Sequence, residues 1–205
     1  MKILALSSAL VLAGSLAVGF NLNPSAEPGE AAPVFALTDT NGKSHTLSDF
    51  KGKYVVLEWL NYGCPYVQTH YESGNMPGLQ KEWTKKGVVW LSIVSSAPGK
   101  QGYYEPAAMN DQTKKNQGSM TAVLLDPTGK VGKEYGAKTT PHMYVINPEG
   151  KIIYAGGIDN KAVSKPQTDP SVTNYVTQAL SEAMAGKEVS VKKARPYGCG
   201  VKYGS

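Results

Sequence analysis

One stretch constrains this chain more than any other. It runs Val55-Val56-Leu57-Glu58-Trp59-Leu60, then Asn61-Tyr62-Gly63, then Cys64-Pro65-Tyr66-Val67. The first six residues are apolar except Glu58 and are bounded by turn residues, which predicts a buried strand. Pro65 suits the first position of a helix, where its missing N–H costs nothing. Cys64 is thereby placed at a strand-to-helix turn, facing the free N–H groups of the helix. Those dipoles favour a thiolate and make Cys64 a candidate nucleophile. The competing expectation for the same residue is a buried, inert thiol.

The chain has 205 residues, enough for one domain with a full core. Basic residues outnumber acidic ones 21 to 16. The excess is mild and gathers near the C-terminus without interleaved aromatics, which argues against a nucleic-acid surface. Met1-Lys2 precedes an uncharged run of Leu, Ala, Val and small residues from Ile3 to Phe20. That pattern predicts a secretory signal segment over 1–20 and a periplasmic or secreted protein. In an oxidising compartment the two cysteines, Cys64 and Cys199, suggest a bond. A structural bridge closing so long a loop is worth roughly 4–5 kcal/mol in the chain-entropy model, so it rivals a catalytic pair.

Residues 21–33 are rich in Pro, Ala, Gly and Glu and predict a linker. A hairpin over 34–46 turns at Asn41-Gly42, with His45 expected to be exposed. After the Cys64 helix comes a second helical piece from Pro77, then an apolar strand over 88–94, which makes a βαβ unit with a parallel pair. Helix is predicted over 105–117, strand over 120–125 and a short helix over 131–135. Strands over 142–147 and 151–155 are joined by Pro148-Glu149-Gly150. Apolar spacing over 171–185 predicts an amphipathic closing helix. The domain thus spans 34–186, and a basic tail, 187–205, carries Cys199.

This order resembles the thioredoxin fold of the redoxin type, the alkyl hydroperoxide reductase/thiol-specific antioxidant proteins. Three segments carry the resemblance: VVLEWLNYGCPYV, LLDPTGKVGKEYGAKTTPHMYVINPEGKIIYAGG, and APVFALTDTNGKSHTLSDFKGKYVVL. It implies an α/β architecture with a central mixed sheet flanked by helices and an N-terminal β-hairpin extension. It also implies that Pro141, after Thr140, is a cis-proline beside the active cysteine. The backbone at Thr140 and Pro141, with the Tyr62 and Tyr66 rings, is then expected to meet substrate.

Two departures matter. Thioredoxin-type reductases carry a second cysteine three residues after the first, and here that place holds Val67. Peroxiredoxins need Thr three residues before the cysteine and Pro seven before, and here those places hold Asn61 and Leu57. The chain most resembles secreted peroxiredoxin-like redoxins, which share a late Pro-Tyr-Gly-Cys segment, here Pro196 to Cys199. The implied activity is thiol–disulfide exchange with a thiol- or disulfide-bearing partner, without a cofactor. Weak thiol peroxidase activity is a variant of it.

Exchange needs an attacking thiolate and a group that releases the mixed disulfide. Cys64 is the candidate attacker and Cys199 the candidate resolver. Glu58 is a candidate buried acid for proton handling. His70, six residues past Cys64, is rotated off its face and is expected to be a surface or packing residue. His142 is expected nearer to Cys64. Two alternatives stay open: a non-enzymatic binding domain with a structural Cys64–Cys199 disulfide, and a copper carrier using both cysteines and His142.

Overall fold

A computed structural model describes residues 26–162 and 171–204, and the expected signal segment lies outside them. The strands are β1 (Ala36–Asp39), β2 (Ser44–Thr46), β3 (Val55–Trp59), β4 (Val89–Val94), β5 (Ala122–Leu125), β6 (Thr139–Thr140), β7 (His142–Ile146), β8 (Ile152–Gly156) and β9 (Cys199–Gly200). The helices are α1 (Pro65–Glu72), α2 (Asn75–Lys85), α3 (Pro106–Lys115), α4 (Lys130–Tyr135) and α5 (Tyr175–Met184). A 3-10 turn covers Leu47–Phe50.

Seven strands form one mixed sheet in the order β2-β1-β5-β4-β3-β7-β8. β3, β4 and β5 run parallel, while β7 pairs antiparallel with β3. β3 lies inside the sheet between β4 and β7 and is buried along its whole length, with apolar side chains on both faces. Val56 and Leu60 point into one core with Val67, Tyr71, Met76, Trp83 and Leu180, under α1, α2 and α5. Val55, Leu57 and Trp59 point into the other, with Phe35, Val131, Tyr135 and Tyr144. Each fully buried large side chain is worth about 1.5–3 kcal/mol, so truncating Trp59 to alanine at the junction would cost about 3–5 kcal/mol.

The expected α/β thioredoxin-like architecture is present, with three differences of detail. Residues 26–33 do not stand off as a free linker. Gly29 N–H donates to Ile152 O at 2.8 Å and Ala32 N–H to Gly150 O at 2.9 Å, so this segment lies along the β7–β8 hairpin. His45 is buried, not exposed, because its Nε2 meets Asp39 Oδ2 at 2.8 Å and its ring stacks on Phe50. The tail is not a plain coil. β9 pairs antiparallel with β6, matching Thr140 to Cys199 and Thr139 to Gly200. Two-residue strands are too short to leave a periodic signal. Among the described residues no helix is long and apolar enough to cross a membrane.

Candidate active site

Cys64 is the residue before α1, extended at φ −84° and ψ 123°, with Pro65 opening the helix. The turn that presents it is tied by the Asn61 side chain, a role the sequence did not assign to it. Asn61 Oδ1 accepts Gly63 N–H at 2.8 Å and Asn61 O accepts Cys64 N–H at 3.0 Å. Gln101 Nε2 donates to Gly63 O at 2.9 Å from the facing loop. Gly102 lets that loop close in, since a Cβ there would lie 2.3 Å from Asn61 Oδ1.

The Cys64 sulfur has no exposure to solvent, yet it is not in a plain apolar pocket. It donates to Thr140 O at 3.1 Å and accepts Cys199 N–H at 3.4 Å. The Thr140–Pro141 peptide beside it is cis, as the resemblance implies. The Cys199 thiol faces it, and both cysteines are free thiols in this structure.

The two thiols are pushed in opposite directions. Burial raises the Cys64 pKa, but the Cys199 thiol, Val67 N–H, the Thr140 side chain and Cys199 N–H outweigh it, and the net shift is downward. The Thr140 carbonyl, which accepts the S–H, opposes those donors. Cys199 is pushed up to about 11, first by burial and then by the hydrogen bond and charge of Cys64. A pair so polarised has one acidic, shielded sulfur and one basic, partly exposed sulfur.

The tail reaches this place by close backbone packing. Gly198 sits at φ 128°, and a Cβ there would lie 2.0 Å from Thr140 O. Only glycine allows the tail this near to β6. Further along, Val201 N–H donates to Lys138 O at 3.1 Å, Ala97 N–H to Lys202 O at 2.9 Å, and Tyr203 O–H to Ala137 O at 2.8 Å.

The remaining expected residues divide. Thr140 lies against both cysteines, and Pro141 follows it through the cis bond. Tyr66 stays half-buried on α1, its ring 6.0 Å from that of Tyr197 in the tail. Tyr62 is a core residue rather than a rim residue. Its ring meets Tyr71 edge-on at 5.1 Å and its hydroxyl donates to Thr113 Oγ1. Glu58 is wholly buried and its pKa is raised by that burial, against donors from Trp90, Ser92, Tyr71 and Gln80. None of its hydrogen bonds goes to a cysteine. Its carboxyl braces β3 against β4, α1 and α2.

His142 and His70 both serve as packing residues. His142 pairs with Trp59 across β3–β7 and turns to the opposite face from Cys64. Its Nδ1 accepts Lys138 N–H at 3.2 Å, and burial lowers its pKa to about 4. That placement removes it from a copper site with the two cysteines, and among the described residues no three metal-binding side chains gather. Of the two places expected for it, surface or packing, His70 takes the packing one. It is buried and bonded to the tail through Tyr197 at 3.0 Å.

Comparison with known proteins agrees with this fold. The model of the AhpC/TSA family matches residues 28–155. The chain is similar to the thiol-disulfide oxidoreductase ResA of Bacillus subtilis, 28% identical over 155 residues, 72% of this chain and 73% of that one. It is 30% identical to the ResA of Bacillus cereus over 151 residues, 70% of this chain and 80% of that one. Among solved structures, it is similar to an uncharacterized conserved protein from Geobacillus kaustophilus, with TM-score 0.75, 27% identity, and 90% and 94% of the two chains covered. The thioredoxin domain of a thiol-disulfide oxidoreductase from Bacteroides vulgatus shares the fold at TM-score 0.50 and 24% identity, covering 62% of this chain and 86% of that one.

Proposed function

The chain belongs to the AhpC/TSA family, and on that premise we propose that it is a redoxin-type thiol–disulfide oxidoreductase in which Cys64 attacks and Cys199 resolves. One observation carries this reading: β9 holds Cys199 beside Cys64, its N–H donating to the Cys64 sulfur at 3.4 Å, and the two thiols are pushed toward opposite acidities. The relatives named thiol-disulfide oxidoreductase support the reaction class. The apolar run over 3–20 supports work outside the cytoplasm, in the periplasm or secreted.

In the reducing direction, Cys64 thiolate attacks one sulfur of a substrate disulfide. The substrate S–S bond breaks, a Cys64–substrate bond forms, and the first thiolate leaves and takes a proton. Cys64 is now neutral, so its charge and its hydrogen bond no longer hold Cys199 protonated, and only burial still does. Cys199 loses its proton to solvent and attacks the Cys64 sulfur. The second substrate thiolate leaves, and a Cys64–Cys199 disulfide remains. Two electrons have passed to the substrate. The same bond run backwards oxidises a dithiol.

The helix N-terminus and Cys199 N–H stabilise the attacking sulfur. Asn61 fixes the turn, so it is not a peroxide-polarising group, and thiol exchange takes precedence over peroxidase chemistry. The test is thiol stoichiometry with one equivalent of Ellman's aromatic disulfide on the reduced protein. The wild type is expected to release two aromatic thiolates and to end as an unlabelled internal disulfide by intact mass. Cys199→Ser is expected to release one and keep the other on Cys64. A wild type that stays singly labelled would overturn the assignment.

A further inference from the structure

Tyr197 precedes Cys199 by two residues, and its phenol sits between two buried polar groups the exchange chemistry does not use. Asn75 Nδ2 donates to His70 Nδ1 at 2.9 Å, so the neutral imidazole carries its proton on Nε2. That Nε2–H donates to the Tyr197 oxygen at 3.0 Å, and Tyr197 O–H donates to Asp159 Oδ1 at 2.6 Å. His70 and Asp159 are 0% and 3% exposed. His70 lies on α1, the helix that Cys64 heads, and Asp159 follows β8. The phenol therefore joins the tail to the attacking cysteine's own helix and to the far edge of the sheet.

We propose that Tyr197 is the positioning residue of the resolving step: clamped by His70 and Asp159, it holds the tail strand on β6 so that Cys199 stays over Cys64, and the same clamp shields Cys64 from an outside disulfide. The inference rests on Cys199 being the resolving thiol. The physical case is the covering of Cys64. Its sulfur is shut from solvent by the strand that carries Cys199, so an incoming disulfide reaches it only when that strand lifts. Lifting the strand also takes Cys199 away. One docking equilibrium thus governs both steps in opposite senses, and the Tyr197 clamp biases it. Without the phenol oxygen, the His70 N–H and the Asp159 carboxylate lose a buried partner. A penalty of that kind corresponds to about a tenfold loss of docking.

The test follows release of the two aromatic thiolates from Ellman's reagent by stopped flow, on the full reduced chain. The first phase reports attack by Cys64 and the second resolution by Cys199. Tyr197→Phe is expected to speed the first phase and slow the second, the two factors multiplying to about tenfold. His70→Gln keeps an amide N–H near the Nε2 position and is expected to stay close to wild type, whereas His70→Leu is expected to follow Tyr197→Phe. Unchanged phases in Tyr197→Phe would overturn the inference. So would a slowing of both phases together with a lowered Tm, which is what general loosening produces. Cys199→Ser separates the two levels. If it releases one thiolate, the resolving role stands and the Tyr197 result is decisive. If it releases two like the wild type, the resolving role falls and the inference with it.

Discussion

Gly198→Ala perturbs the docking of the tail with the least change elsewhere. At φ 128° an L-residue is strained, and the new methyl would meet Thr140 O at 2.0 Å, a backbone atom that cannot swing aside. Positive-φ strain of this kind costs about 1–3 kcal/mol, and overpacking adds about 1–3 kcal/mol. Together they weaken docking by about 2–6 kcal/mol, on the order of 30- to 25,000-fold. The seven-stranded sheet does not include β9, so the domain is expected to stay folded. Two effects then compete at Cys64. Exposure rises with the undocked fraction, while loss of the Cys199 N–H makes the thiol less acidic. The second effect is about one hydrogen bond, about fivefold in thiolate, and is partly offset by the greater nucleophilicity of a more basic sulfur. Exposure wins. The assay is alkylation of Cys64 by iodoacetamide, read by mass, in a Cys199→Ser background with and without Gly198→Ala. The expected result is an acceleration of tenfold or more with an unchanged far-ultraviolet spectrum. Equal rates in the two proteins would refute the idea that the tail covers Cys64 in solution.

Three further outcomes follow from the same geometry. In Cys64→Ser, the Cys199 thiol is expected to titrate below about 11 yet above an ordinary thiol, because burial persists when the Cys64 charge is gone; pH-dependent alkylation of Cys199 measures it. Burial raises the Glu58 pKa above its unfolded value, so its contribution to stability is full at acid pH and fades as pH rises through the folded pKa. Glu58→Gln imitates the protonated acid and is expected to gain on the wild type in urea unfolding as pH climbs from about 5 to about 8. Asn61→Ala removes the acceptor of Gly63 N–H and a brace to Gln101, and is expected to cost about 2 kcal/mol, a fall in Tm of about 4–8 °C by calorimetry.

The central strands were legible because apolar runs longer than four residues have few other homes. Val55–Trp59 and Val89–Val94 are buried along their whole length, and Pro65 opens its helix as its chemistry requires. The cis bond at Pro141 came from resemblance, since no local pattern marks it. The tail was only half legible. Cys199 was visible as the second of two cysteines, but its pairing with Thr140 joins residues far apart in the chain through strands of two residues. His70 shows the limit most clearly. A helical wheel says which way it turns relative to Cys64, and it does turn away. It says nothing about Tyr197, 127 residues later, which covers it. His45 was misjudged for a related reason: a polar residue on a hairpin suggests solvent, unless a partner such as Asp39 satisfies it inside. His142 follows Pro141 closely in the chain, yet its pairing with Trp59 turns its side chain to the other face, which a sequence without its register does not show.

The most direct measurement is a pH titration of both thiols in the reduced, full-length protein, with each cysteine's alkylation rate resolved by mass. The account predicts that Cys64 reaches its plateau below the range of an ordinary thiol, while Cys199 is still rising toward about 11. If Cys199 proves the more acidic of the two, the roles of attacker and resolver are reversed and the account is contradicted.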